Sequence, residues 1–352
     1  MIIFLILTAL ICLPGIRISS PGSFNSDYIS INQTTAVNGI FTLLVFWSHV
    51  STYIKLDTGL DTPYSAFKSY MLQAVVVPFL FYSGYGMAQS IGKKGKAYVK
   101  QIPKNRFLKV LLHFDIAVVL YLIVNFAFGK TFPLRRILLS LVAYKEVGNS
   151  NWYIFAVLGL YVITFAAFML SGKNHILGVA LTTVFSVGFV LIQMLLKRDT
   201  WCYDTVILFS VGMIFSAAKP LLEKIITRHD LLYLGAVAVT AAAYIFFYIK
   251  RGGGIEFYSM WAILFMALIV LFTMKVKIGN PVLKFFGSHV FSIYILQRIP
   301  MIIFSRLGLA SANKYAFVVI CFAVTVILAV IFDRFTEKLD AVLFEKRIKK
   351  SA

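Results

Sequence analysis

Apolar runs of bilayer length alternate with short polar breaks along nearly the whole chain. A window matched to the hydrocarbon core of a membrane, about 20 residues of helix, predicts about eleven spans. They fall near residues 2–16, 36–54, 68–91, 107–128, 152–171, 176–195, 202–219, 231–249, 255–274, 288–308 and 315–333. No soluble domain, repeat or low-complexity tract interrupts the series. The expected architecture is therefore one all-α domain filling residues 1–352, a polytopic transmembrane helical bundle. The first run, MIIFLILTALICLPGI, lacks the basic start and small-residue cleavage site of a signal peptide, so it is read as a short retained span.

Composition removes the soluble alternatives: 60% of the 352 residues are hydrophobic and 14% charged, too little polar side chain to clothe a globule of this size. The net charge of +20 raises nucleic acid as a partner, but the cations sit in short runs between apolar segments and form no basic domain. The positive-inside bias of membrane proteins accounts for them, and no nucleic-acid partner is expected. The loop GKKGKAYVKQIPKNRFLK after the third span carries seven cations, from Lys93 to Lys109, and no acid, which assigns it to the cytoplasm. Alternation from there puts on the same side Lys219, Lys224 and Arg228, the Lys275/Lys277/Lys284 loop, and a tail with Arg334, Lys346, Arg347, Lys349 and Lys350. It leaves the N-terminus outside and the C-terminus inside a cytoplasmic membrane. One loop breaks the pattern. Lys130, Arg135, Arg136 and Lys145 fall outside, where FPLRRILLSLVAY reads as an amphipathic or re-entrant helix. Cys12, Cys202 and Cys321 have no paired spacing, so they are read as packing residues and no metal is expected.

The second span, AVNGIFTLLVFWSHVSTY, places His49 within hydrocarbon, where an imidazole is costly unless it faces a polar cavity or a partner. Asn38 lies eleven positions earlier, three helical turns and roughly 16 Å away, on nearly the same face. Three further charges fall inside spans. Asp204 enters from the outside at a depth near that of His49 and is the candidate to orient its ring. Asp115 and Arg298 both count to middle depth and are expected to neutralise each other. His113 lies near the cytoplasmic cations, while His175, His229 and His289 fall near loop ends, where solvation accounts for them.

The phrases AVNGIFTLLVFWSH, FLFYSGYGMAQSI, IPKNRFLKVL, NSNWYIFAVLGLY, TVILFSVGMIFS and FGSHVFSIYILQRIP follow one another from about Ala36 to Pro300. In order and spacing they resemble the membrane acyltransferase-3 family, inner-membrane enzymes that O-acetylate polysaccharides and other cell-surface acceptors. The resemblance implies a cytoplasmic acetyl-CoA donor, a carbohydrate acceptor and an O-acetyltransferase activity. It implies His49 as general base or transient acyl carrier, a task that suits a neutral imidazole, whose ordinary pKa is about 6.5. Arg106 and Lys109 match a pair of cations three apart, placed to hold the donor's phosphates with His113 nearby. Ser83 and Tyr85 belong to a Ser-Gly-aromatic turn, and Trp152 and Tyr153 to a Trp-aromatic pair, which an aromatic belt at the outer membrane face explains and on which, as the alternative, an acceptor sugar would stack at Trp152. Donor and acceptor would meet in a cavity crossing the bundle, with Arg106 and Lys109 at its inner end. The chain departs from the pattern twice: Asn38 stands where a cation is expected, and Gln297, beside Arg298, where many members have histidine. A transporter or flippase would use the same intramembrane His, Asp and Arg as a substrate or proton path, and a family member without catalysis would bind no donor.

Overall fold

The computed structural model describes residues 1–345, so Lys346, Arg347, Lys349 and Lys350 of the expected cytoplasmic tail lie outside the described residues. The chain runs through α1 (Ile2–Cys12), α2 (Ile31–Val50), α3 (Thr62–Met71), α4 (Val77–Lys94), α5 (Lys96–Ile102), α6 (Lys109–Ala127) and α7 (Leu134–Leu141). It continues through α8 (Trp152–Ser171), α9 (His175–Leu195), α10 (Ile207–Ile226), α11 (Asp230–Lys250) and α12 (Ile255–Lys275). Three short helices follow, α13 (Pro281–Ser288), α14 (Val290–Leu296) and α15 (Arg298–Arg306), then α16 (Leu309–Ala312) and the long α17 (Lys314–Asp340). Strand pairing among the described residues is confined to β1 (Arg17–Ile18) and β2 (Val276–Lys277), antiparallel and two residues each. The all-α polytopic bundle expected from the hydropathy pattern is the one observed.

Among the described residues, eight continuous helical stretches are long and apolar enough to cross a membrane, and α13 with α14–α15 forms a ninth bent by 60°. The two remaining expected spans differ from that standard for separate reasons. With eleven residues, α1 is about 16 Å long, roughly half a hydrocarbon core. The turn after it completes the crossing. Met1 pairs through its amine with Asp61 at one face (2.7 Å), while Ile11 and Pro14 accept hydrogen bonds from Asn280 at the other. The twenty residues of α2 are long enough, but they include Asn32, Gln33, Asn38, Thr42, Ser48 and His49. α2 packs among α1, α4, α13, α14 and α17, so most of these polar groups face protein and not lipid. At the other extreme, α11 turns Leu231, Val239 and Ile249 outward, as a lipid-facing helix does.

Helix starts are fixed by side-chain caps: Ser30 accepts from Gln33 N, and Asn174, Asn280 and Asn313 do the same for α9, α13 and α17. Two crossings are closed by reciprocal glycines. A Cβ at Gly84 in α4 would overlap the Phe209 carbonyl of α10, and one at Gly212 in α10 would overlap the Phe81 carbonyl of α4. Gly39 of α2 and Gly287 of α13 meet the Leu283 and Thr35 carbonyls in the same way. Backbones therefore touch directly, the arrangement that supplies packing energy where lipid offers no hydrophobic drive. Helix ends gather into two faces. The basic face holds Lys93, Arg106, Lys109, Lys219 and Lys275, and the far face holds the end of α2, Asp61, α7 and the start of α17.

Candidate active site

At the far face His49 ends α2 and borders a cavity of about 1070 Å³. The ring is half-buried, with Nδ1 enclosed and without a protein partner. Its neighbours come from the bent span. Tyr294 lies 6.1 Å away, ring to ring, and Gln297 and Arg298 stand beside the imidazole. Tyr294, Gln297 and Arg298 occupy positions i, i+3 and i+4, so one helical face presents all three to His49. Tyr294 Oη, Gln297 Oε1 and Arg298 Nε are also buried without a protein partner. Orphaned buried polar atoms cost about 1–3 kcal/mol each. Their convergence on one ring therefore singles this place out from the rest of the bundle.

The cavity wall continues through Trp152 and Ser150–Asn151 at the start of α8, Arg135 and Arg136 of α7, and Lys145, Lys197 and Arg198 in the loops. The loop before α8 is pinned: Asn125 Nδ2 donates to the Val147 carbonyl (2.9 Å), Asn149 Oδ1 accepts from Val147 N, and Asn151 Nδ2 donates to the Ala143 carbonyl (2.6 Å). Among the described residues, three non-glycine residues have positive φ, Leu72, Ala143 and Lys197 (42°, 56° and 52°); Leu72 and Lys197 line this cavity, and Ala143 lies behind it, bonded to Asn151 of the wall. Strain of this kind is retained where the surroundings over-determine it, commonly around sites. Tyr153 turns the other way, into the bundle, where its ring packs against Tyr294 (5.4 Å) and Phe79 (6.4 Å).

A second cavity of about 550 Å³ opens at the basic face. Ser83 and Tyr85 of α4 line it, together with Arg106, Thr34 of α2 and Lys93. Arg106 donates to Tyr98 Oη (3.1 Å), which steadies the guanidinium at the cavity wall. Lys93, which from the sequence reads as an ordinary positive-inside anchor, lines the same cavity as Arg106. Lys109 and His113 are elsewhere. Residues Pro103–Leu108 wind as a π-helix, whose wider i→i+5 turn rotates Lys109 away from the face that Arg106 keeps. Lys109 Nζ instead pairs with Asp340 of α17 (2.7 Å), and His113 Nε2 bonds the other oxygen of the same carboxylate (3.0 Å). Two of the three residues expected at the donor's phosphates therefore serve a helix contact.

Other expected pairings also resolve differently. No hydrogen bond joins Asp204 to His49 among the described residues. Asp204 lies at the start of the α10 span against α12, where its carbonyl accepts from Ser259 Oγ, and its Oδ1 has no protein partner. Asp115 and Arg298 form no ion pair. The bent span begins at Pro281, seven residues before the apolar run suggested, which raises Arg298 to the level of Tyr121, roughly 9 Å above Asp115 along α6. Asn38 lies between the two cavities, with Oδ1 buried and unpartnered. His289 is not simply solvated: Nδ1 pairs with Asp333, which also accepts from Ser292 Oγ.

The passage expected to cross the bundle is interrupted. The two cavities share no lining residue. Along α4 the walls pass from Val76 to Tyr82, so the septum is about 9 Å thick there. Phe79 lies between those two walls and packs against Tyr153.

The profile of the acyltransferase-3 family, described as an acyltransferase domain, matches residues 35–334. The chain belongs to that family. The matched stretch starts four residues into α2 and ends in α17, so it takes in His49, the whole bent span and the full lining of the far-face cavity of this membrane acyltransferase, while Ile29, Ser30, Ile31 and Thr34 of the basic-face cavity precede it. No curated protein and no solved structure matches it.

Proposed function

We propose that this acyltransferase moves an acetyl group from cytoplasmic acetyl-CoA to a hydroxyl of a surface or exported carbohydrate. The observation that carries the reading is the placement of His49, a half-buried imidazole at the wall of a polar cavity, with Arg298 and Trp152 on the same wall. The positive-inside bias puts the basic face in the cytoplasm of an inner membrane, the C-terminus with it, and the N-terminus outside. Arg106 and Lys93 then offer two cations to the donor's phosphates from the cytoplasmic cavity, where Ser83 and Tyr85 line the approach to the septum.

With His49 as base, the imidazole takes the acceptor's hydroxyl proton and the oxygen attacks the thioester carbonyl. The new C–O bond forms, the C–S bond breaks, and the proton passes to the departing thiolate. With His49 as carrier, a ring nitrogen first displaces the thiolate, C–N forming as C–S breaks; the acceptor oxygen then attacks, C–O forms, C–N breaks, and the freed imidazole takes the hydroxyl proton and passes it to the thiolate. In either case the Arg298 guanidinium and the Tyr294 hydroxyl are the donors beside the ring that can take up the negative charge developing on the carbonyl oxygen. Trp152 offers a stacking face for the sugar.

The test is transfer of radiolabel from acetyl-CoA to cell-envelope polysaccharide by purified protein in lipid nanodiscs. The expected result is transfer by wild type and none by His49→Ala at unchanged helicity; full transfer by His49→Ala refutes the role. The septum favours one other reading, a carrier that opens to each side in turn. Labelled glycan crossing proteoliposomes without acetyl-CoA would decide for it.

A further inference from the structure

The cations outside the cytoplasmic face break the positive-inside rule, so membrane orientation does not explain them. The fold gathers five of them at one place, together with Arg298 of the bent span. Arg135, Arg136, Lys145, Lys197, Arg198 and Arg298 all line the cavity that His49 borders, against two acids, Glu146 and Asp199. None of the six forms an ion pair among the described residues. Two of them are fixed by contacts and a third is enclosed. Arg136 Nε donates to the Glu146 carbonyl (2.8 Å), the Arg198 guanidinium stacks over the Tyr144 ring (4.6 Å) and Arg298 Nε is buried without a partner. Positioned cations left without carboxylates in a concave site are built for an anion brought from outside.

We infer that the acceptor is an anionic glycan, a carbohydrate bearing carboxylate or phosphate groups. The rim cations bind its charges and thereby bring one of its hydroxyls to His49, with Arg298 the cation nearest the reacting end and Trp152 the stacking surface. This deepens the carbohydrate acyl-transfer reading and rests on it.

The test uses polysaccharide from cells lacking the protein, split by anion exchange into acidic and neutral pools, with radiolabelled acetyl-CoA and full-length protein in nanodiscs of phosphatidylcholine alone. Label is expected to enter the acidic pool at least about ten-fold faster than the neutral one, and raising salt from about 50 to about 300 mM is expected to raise the KM for the acidic pool about ten-fold. The combined variant Arg135→Gln, Lys145→Gln, Lys197→Gln is expected to raise that KM by about ten-fold or more, leaving the KM for acetyl-CoA and kcat within about two-fold. Equal or faster labelling of the neutral pool overturns the inference. So does an unchanged KM in the variant, which, joined to loss of phosphatidylglycerol retained in native mass spectrometry, would assign these cations to lipid headgroups. Label in neither pool refutes carbohydrate acyl transfer itself, and the inference falls with it.

Discussion

Gly84 and Gly86 sit two residues apart on α4, yet the same substitution should act on them with opposite sign. A Cβ at Gly84 overlaps the Phe209 carbonyl of α10, whereas one at Gly86 meets open space. To admit the methyl group at Gly84, α4 and α10 must part by on the order of 1 Å, a gap that forfeits a quarter to a half of each dispersion contact along the crossing. Overpacking of this kind costs about 1–3 kcal/mol, and the higher helix propensity of alanine returns at most about 1. Loss of contact at the reciprocal Gly212 adds to the cost, so Gly84→Ala should be about 2 kcal/mol less stable, a fall of a few degrees in melting temperature for a chain of this size. Gly86→Ala should lie between unchanged and about 1 kcal/mol more stable. Thermal unfolding followed by circular dichroism in one detergent compares the two. Equal melting temperatures for both variants, or a Gly84→Ala protein as stable as wild type, would refute backbone contact at this crossing. Since Ser83 and Tyr85 flank Gly84 and line the basic-face cavity, the same opening should also weaken donor use.

Three further outcomes separate the assigned roles. Arg106→Ala should raise the KM for acetyl-CoA about ten-fold or more while Lys109→Ala, whose partner is Asp340, stays within about two-fold; initial-rate kinetics check this, and equal effects would count against the cavity assignment. Gln297→Ala removes a side chain that is fully buried beside the His49 ring and should lower kcat about ten- to a hundred-fold with donor KM held; unaltered turnover would show that Gln297 does not position the ring. Burial works to raise the Asp61 carboxyl, but hydrogen bonds from Lys314, the Met1 amine and Thr58 outweigh it and hold the group well below the usual carboxylate range. A depressed folded value gives stability that is present above the ordinary pKa and lost as pH falls through the folded one. The melting-temperature gap between wild type and Asp61→Asn should therefore stay constant from about pH 6.5 to about pH 5 and close only below about pH 4; a gap that changes within that window contradicts the pairing.

What could be read in advance was depth, and what could not was azimuth. Counting residues along apolar runs placed the spans, put His49 near one end of α2, and set Asp204 at a similar level. Which way Asp204 points depends on the packing of α10 against α12, and no periodicity in the chain announces that. Depth itself failed where a helix broke without a proline to mark it. The bend near His289 hid the true start of the span at Pro281, and the error carried Arg298 to the wrong level, beside Asp115. Arg106 and Lys109 show the local version of the same limit. Three apart in an α-helix they would share a face, and the π-turn that parts them has only Pro103 as a sequence mark. The carboxylate that takes Lys109 lies 231 positions away, beyond the reach of any local pattern.

The aromatic septum between the two cavities bears on energy supply as well as on chemistry. An energised membrane loses its proton gradient through any standing column of water, so the proposed transfer, with its donor at one face and its acceptor at the other, would need insulation between turnovers. Phe79, Tyr153 and their neighbours fill the position of such an insulator, and thinning it, for example with Phe79→Ala, would be expected to de-energise vesicles before it altered any acylation product.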